Sequence, residues 1–172
     1  MQPEARSERS AAARARPLAE LLQCPPRTEA LLNSSARCID VGAGEVVFRQ
    51  PEDCSGLYVV ISGQYLRRTE RLKTRLTLGV ARAGELLELA AVLGDGRHTY
   101  TLCAQSSGSI LLLPMEALSR AFESYPRFRM QLLEELAREV SRGYDASCQN
   151  RAPRVQRRSS RTQAGKQADR HP

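Results

Sequence analysis

A mainly β fold with flanking helices, an antiparallel sandwich or jelly roll, is the class this sequence predicts. Three observations carry the prediction. Short runs rich in β-branched, aromatic and leucine residues recur between Cys38 and Leu113, glycine- or proline-bearing turns separate them, and helical spacing is confined to the flanks. The runs are Val46–Phe48, Leu57–Ile61, Tyr65–Thr69, Arg75–Val80, Tyr100–Ala104 and Ile110–Leu113. Turn chemistry stands between them at Gly42 and Gly44, Pro51–Gly56, Ser62-Gly63, Ala83-Gly84, Gly94–Gly96 and Ser106–Gly108.

Before the strands, Leu18, Leu21 and Leu22, then Ala30, Leu31 and Leu32, have helical spacing, interrupted by Cys24-Pro25-Pro26. Thr28 is placed to cap the second piece. After Pro114 the helical period returns. Met115, Leu118 and Phe122 make a short helix; Ser124 is expected to cap a long one, with Pro126 in its first turn and Gly143 near its end. This long helix carries two apolar stripes. Met130, Leu133, Ala137, Val140 and Tyr144 step by 3, 4, 3 and 4, while Phe128, Leu132 and Leu136 form the other. One stripe suffices for the helix's own domain, so the 130–144 seam is expected to meet a partner helix and make a homodimer.

At 172 residues, 41% of them hydrophobic, the chain has room for one domain with a real core. No apolar run approaches the roughly 20 residues that span a bilayer. The N-terminus does not read as a secretory signal, so a cytoplasmic protein without membrane contact is expected. The net charge of +7 sits in the ends. Residues 151–172 hold seven basic residues against Asp169, and residues 1–16 hold four arginines against two glutamates, which leaves 17–150 close to neutral. The expected organisation is a disordered basic tail at 1–16, a folded domain at 17–145 and a disordered basic tail at 146–172. A neutral domain offers no basic face for reading DNA; the tails offer only salt-sensitive, sequence-blind contact.

Catalytic and metal chemistry find little footing. Cys24, Cys38, Cys54, Cys103 and Cys148 are scattered and form no CxxC pair, so free thiols and no metal are expected. There is no GxSxG, and only two histidines, His98 and His171, are present. Gly94-Asp95-Gly96 lacks the Lys-Ser/Thr of a phosphate loop and reads as a turn. No enzyme is expected.

Three segments in register resemble the effector domain of the Crp/Fnr family. Val41-Gly42-Ala43-Gly44-Glu45-Val46-Val47-Phe48 is similar to its opening strands and Gly-Glu turn. Gly56-Leu57-Tyr58-Val59-Val60-Ile61-Ser62-Gly63-Gln64 is similar to its LY-x-V-x-x-G strand, and Ala83-Gly84-Glu85-Leu86-Leu87 to the approach to its phosphate-binding cassette. The resemblance covers residues 18–145 and departs at Pro51, where the family usually has glycine. It implies a β-roll of the cyclic-nucleotide-binding type, a regulatory role and dimerisation through the long helix. It stops before the family's winged helix-turn-helix, of which residues 146–172 carry no pattern, so no sequence-specific DNA binding by this chain is expected.

In members that bind cyclic nucleotides, a Gly-Glu opens a short helix and an arginine follows about nine residues later; the carboxylate takes the ribose hydroxyl and the guanidinium the cyclic phosphate. Aligned without gaps, Glu88 falls on that glycine, Leu89 on the ribose-binding glutamate and His98 on the arginine. Both anchors are then lost, and Leu87–Val92 is similar to the variant in Fnr-like members that do not use cyclic AMP. The expected function is thus a Crp/Fnr-type sensor with a degenerate pocket, taking another small ligand or a protein partner, or no ligand, and using no cofactor. The alternative shifts the register by one residue and makes Glu88 and Arg97 the anchors of a cyclic nucleotide. The candidate ligand-binding residues are Glu88, Arg97, His98 and Thr99; His98 is also a candidate for pH gating or for pairing with an anion.

Overall fold

The computed structural model of the protein describes residues 22–71 and 74–151. The expected tail at 1–16, the leucines at 18 and 21, and everything beyond Arg151 lie outside these residues. Helix α1 (Pro26–Ser35) leads into β1 (Arg37–Val41), β2 (Val46–Phe48), β3 (Gly56–Ser62), β4 (Tyr65–Arg71), β5 (Thr74–Ala81) and β6 (Leu86–Leu87). A short helix α2 (Leu89–Leu93) precedes β7 (Thr101–Ala104) and β8 (Gly108–Pro114), and α3 (Met115–Ser124) and α4 (Pro126–Arg151) close the domain. The strands form two antiparallel sheets, ordered β1-β8-β3-β6 and β2-β7-β4-β5. The mainly β roll with flanking helices expected from the sequence is the fold observed.

The first sheet is covered on both faces, which explains why β3 and β8 are unbroken apolar runs instead of alternating ones. Tyr58 and Val60 of β3, with Ile110 and Leu112 of β8, point into the roll among Val41, Phe48, Tyr65 and Leu102. Their neighbours Leu57, Val59, Leu111 and Leu113 face the helices and pack with Leu32, Leu118, Phe128 and Leu132. Period-two alternation thus feeds two cores from one sheet. Gly56 is required where β3 crosses β8, because a Cβ there would run into the Leu113 carbonyl.

Two helix starts differ from expectation. Thr28 does not cap α1; it lies buried inside the helix, and Pro25 occupies the cap with Pro26 in the first turn, where a missing N–H costs nothing. Ser124 ends α3, its hydroxyl bonded to the Ala121 carbonyl, and Tyr125 separates it from α4. The long helix also runs through Gly143 to Arg151, past the boundary expected at 145. A single glycine costs a helix only about 1 kcal/mol, and no proline intervenes before Pro153. At 26 residues α4 is about 39 Å long.

The two stripes of α4 separate cleanly. Phe128 and Leu132 are buried in the helix-facing core, and Leu136 packs against it. Met130, Leu133, Ala137, Val140 and Tyr144 are all exposed.

Candidate functional site

Strand β3 holds the cassette in place. The Val60 N–H donates to the Glu85 carbonyl at 3.0 Å and the Gly84 N–H to the Val60 carbonyl at 2.8 Å, and β6 pairs with Tyr58 and Val59. The chain then turns sharply into α2 at Glu88, whose backbone is left-handed (φ 68°, ψ 25°) and whose carbonyl accepts the first helical hydrogen bond from Val92. For a residue with a Cβ this conformation costs about 1–2 kcal/mol. A glycine-like backbone at Glu88 is what the ungapped alignment implies, since it puts Glu88 on the family's glycine.

The Glu88 side chain turns inward. Its carboxylate accepts the Thr99 N–H at 3.1 Å and the Thr99 hydroxyl at 3.3 Å, and Oε2 lies 3.3 Å from Nδ1 of His98. Both Glu88 and His98 are buried. The imidazole stacks on Phe48 with ring centroids 4.0 Å apart and planes within 5°, and Nδ1 has no aligned hydrogen bond. Burial pulls the His98 pKa down, but the adjacent Cys54 and Glu88 outweigh it and hold it at about 9. Arg97 goes the other way. Its side chain is exposed, its backbone pairs with Asp53, and its N–H donates to the Asp95 carboxylate. Among the described residues no ion pair joins Arg97 to Glu88. Leu89, at the position of the ribose-binding glutamate, is buried in the helix-facing core.

Between the cassette and α4 lies a groove of about 1190 Å³. Its central cation is Arg67, a residue that sequence reasoning missed because nothing local sets it apart from Arg68. The Arg67 guanidinium bonds Glu85 at 2.6 Å, lies 3.7 Å from Glu139 of α4 and sits 5.8 Å from the Tyr100 ring centroid. Burial raises the Glu139 carboxyl above the usual carboxylate range, against the pull of Arg67 and Arg142. In all, five glutamates and three arginines line the groove, Glu88 and Thr99 among its walls. Its charge is acidic on balance.

The model of the cyclic nucleotide-binding domain family matches residues 39–125, just over half of the chain. The chain belongs to that family. The cyclic nucleotide-binding domain has structural neighbours of the Crp/Fnr type. The sensor domain of the transcriptional regulator DNR from Pseudomonas aeruginosa superposes with a TM-score of 0.67 at 19% identity, over 78% of this chain and 93% of that one. The Thermus thermophilus catabolite activator protein gives 0.64 at 24% identity, over 78% of this chain and 62% of its own. A cyclic nucleotide-binding domain from Methylobacillus flagellatus gives 0.70 at 13% identity, over 82% and 86%. No curated protein matches the chain. At these identities the neighbours show the fold. Among the described residues, no helix of the domain is long and apolar enough to cross a membrane.

Proposed function

We propose that this chain is a cytoplasmic Crp/Fnr-type sensor module that does not hold a cyclic nucleotide in the family's manner. It takes another small ligand or none, does not read DNA sequence itself, and pairs with a second copy through the outer stripe of α4. No catalysis is assigned to it.

The observation that carries this reading is the occupied cassette. Glu88 spends its carboxylate on Thr99, on the inward side of a glycine-like turn, and the buried Leu89 has nothing to offer a ribose hydroxyl. The groove's central cation, Arg67, is already paired with Glu85 and Glu139. A cyclic phosphate entering there would lose its water and face more carboxylates than guanidiniums, an unfavourable exchange. The exposed seam of Met130, Leu133, Ala137, Val140 and Tyr144 supports the pairing.

Calorimetric titration with cyclic AMP and cyclic GMP tests the proposal. It predicts no binding tighter than about 100 μM, equivalent to roughly 5.5 kcal/mol. Micromolar binding that disappears in Arg97→Ala would overturn it and establish the one-residue shift, with Glu88 and Arg97 as anchors.

A further inference from the structure

The fold brings together three side chains that the sequence keeps far apart. Cys54, Glu88 and His98 are all buried, and their Sγ, carboxylate oxygen and imidazole nitrogen lie within 4.8 Å of one another. A tetrahedral zinc ion with bonds of about 2.0–2.3 Å sets its donors roughly 3.3–3.7 Å apart. The His98–Glu88 pair already stands at 3.3 Å, and the Cys54 Sγ lies within 4.8 Å of both, near enough for a small side-chain adjustment to complete the set. We propose that Cys54, Glu88 and His98 form a binding site for a single zinc-class divalent ion, with its fourth position open. This goes beyond the sensor reading and does not depend on whether the roll takes a cyclic nucleotide.

Three features make the cluster a site and not a chance contact. First, Nδ1 of His98 is buried and faces the Glu88 carboxylate at 3.3 Å without a well-aligned hydrogen bond, so a metal ion in place of the proton would find both donors already turned toward each other. Second, the ligands are held rigidly. The Cys54 N–H donates to the Gly96 carbonyl at 2.7 Å and the His98 N–H to the Glu52 carbonyl at 2.9 Å, flanking the Asp53–Arg97 bridge. Phe48 fixes the imidazole plane from one side. Third, the Glu88 oxygens accept the Thr99 N–H and hydroxyl, and these bonds orient the carboxylate as outer-shell partners of metal ligands do.

The donor set also selects the ion. One thiolate, one imidazole and one carboxylate suit a borderline ion such as Zn²⁺ or Co²⁺, and neither Mg²⁺ nor Ca²⁺, which take oxygen ligands. Bound zinc would put a positive charge between the buried Glu88 carboxylate and the Cys54 thiolate, replacing the thiol's present hydrogen bond to the Gly56 carbonyl at 3.2 Å. Because Glu88 also lines the groove, the ion would tie the roll interior to the groove wall.

Cobalt reports directly on the thiolate. In the full chain carrying Cys24→Ser, Cys38→Ser, Cys103→Ser and Cys148→Ser, Cys54 is the sole thiol. One equivalent of Co²⁺ should produce a sulfur-to-cobalt charge-transfer band, and competition with Zn²⁺ should give a Kd below about 1 μM. Adding Cys54→Ser should abolish the band, and His98→Gln should weaken binding about 100-fold. In the unaltered chain, equimolar Zn²⁺ should slow alkylation of Cys54 by iodoacetamide, read by mass spectrometry, so the proposal does not hang on the variants folding. Absence of the band in the folded four-serine chain, a band that survives Cys54→Ser, or alkylation of Cys54 at the same rate with and without zinc would overturn it.

Discussion

Leu132 and Leu133 are consecutive on the long helix and face opposite fates: the first is 3% exposed, packed against the roll, and the second is 38% exposed. The boundary between the helix's two stripes runs between them. It gives a simple contrast. Leu132→Ala opens a cavity in the helix-facing core and should cost about 2–5 kcal/mol in urea denaturation. At the lowest practical protein concentration, where association contributes least, Leu133→Ala should cost less than about 1 kcal/mol. Equal losses would mean that the exposed stripe is packed after all.

The left-handed backbone at Glu88 predicts an unusual order of substitutions. Both Glu88→Ala and Glu88→Gly leave Thr99 and His98 without the buried carboxylate, which should cost about 3–5 kcal/mol. Glycine ordinarily weakens a fold more than alanine. Here it relieves the φ of 68°, so Glu88→Gly should be the milder variant by about 1 kcal/mol. Chemical denaturation of the two variants side by side checks this; an alanine variant as stable as the glycine one would contradict the strain.

The basic C-terminal segment separates charge from fold. Residues 152–172 hold six basic residues against Asp169 and hardly any apolar ones. Deleting them should leave the Tm essentially unchanged and abolish retention on DNA at low salt. A fall of several degrees would show that this segment supports the fold, and binding to one DNA sequence that persists after truncation would show a reading surface elsewhere in the chain.

Much of the fold could be read from the residues, and the exceptions have physical causes. The six apolar runs all became strands because glycine turns punctuate them. Strand β1 shows in the sequence only through Val41, where the family resemblance begins, because Arg37-Cys38-Ile39-Asp40 mixes polar and apolar residues at an exposed edge; the two leucines of β6 make no pattern. The two stripes of α4 were legible because helical spacing is local. The surroundings of Glu88 were not. Cys54 reaches it through a lone bridge between Asp53 and Arg97, a long-range pairing with no signature in either segment. Nor does sequence tell which of the adjacent Arg97 and His98 turns inward; the bridge decides it, sending His98 into the roll and Arg97 to solvent.

The account depends most on α4 having one face for its own roll and one for a second copy. Along the exposed face Met130, Leu133, Val140 and Tyr144 are 56%, 38%, 64% and 70% exposed, and the small Ala137 sits midway, where two helices could approach closely. Glutamates at Leu133 and Val140 would set like charges against each other in a desolvated seam. Light scattering of the unaltered chain at tens of micromolar should therefore give the mass of a dimer, and Leu133→Glu with Val140→Glu should give a monomer that keeps its β-sheet circular dichroism. An unaltered chain that scatters as a monomer at that concentration, or a double variant that remains a dimer, would contradict the account.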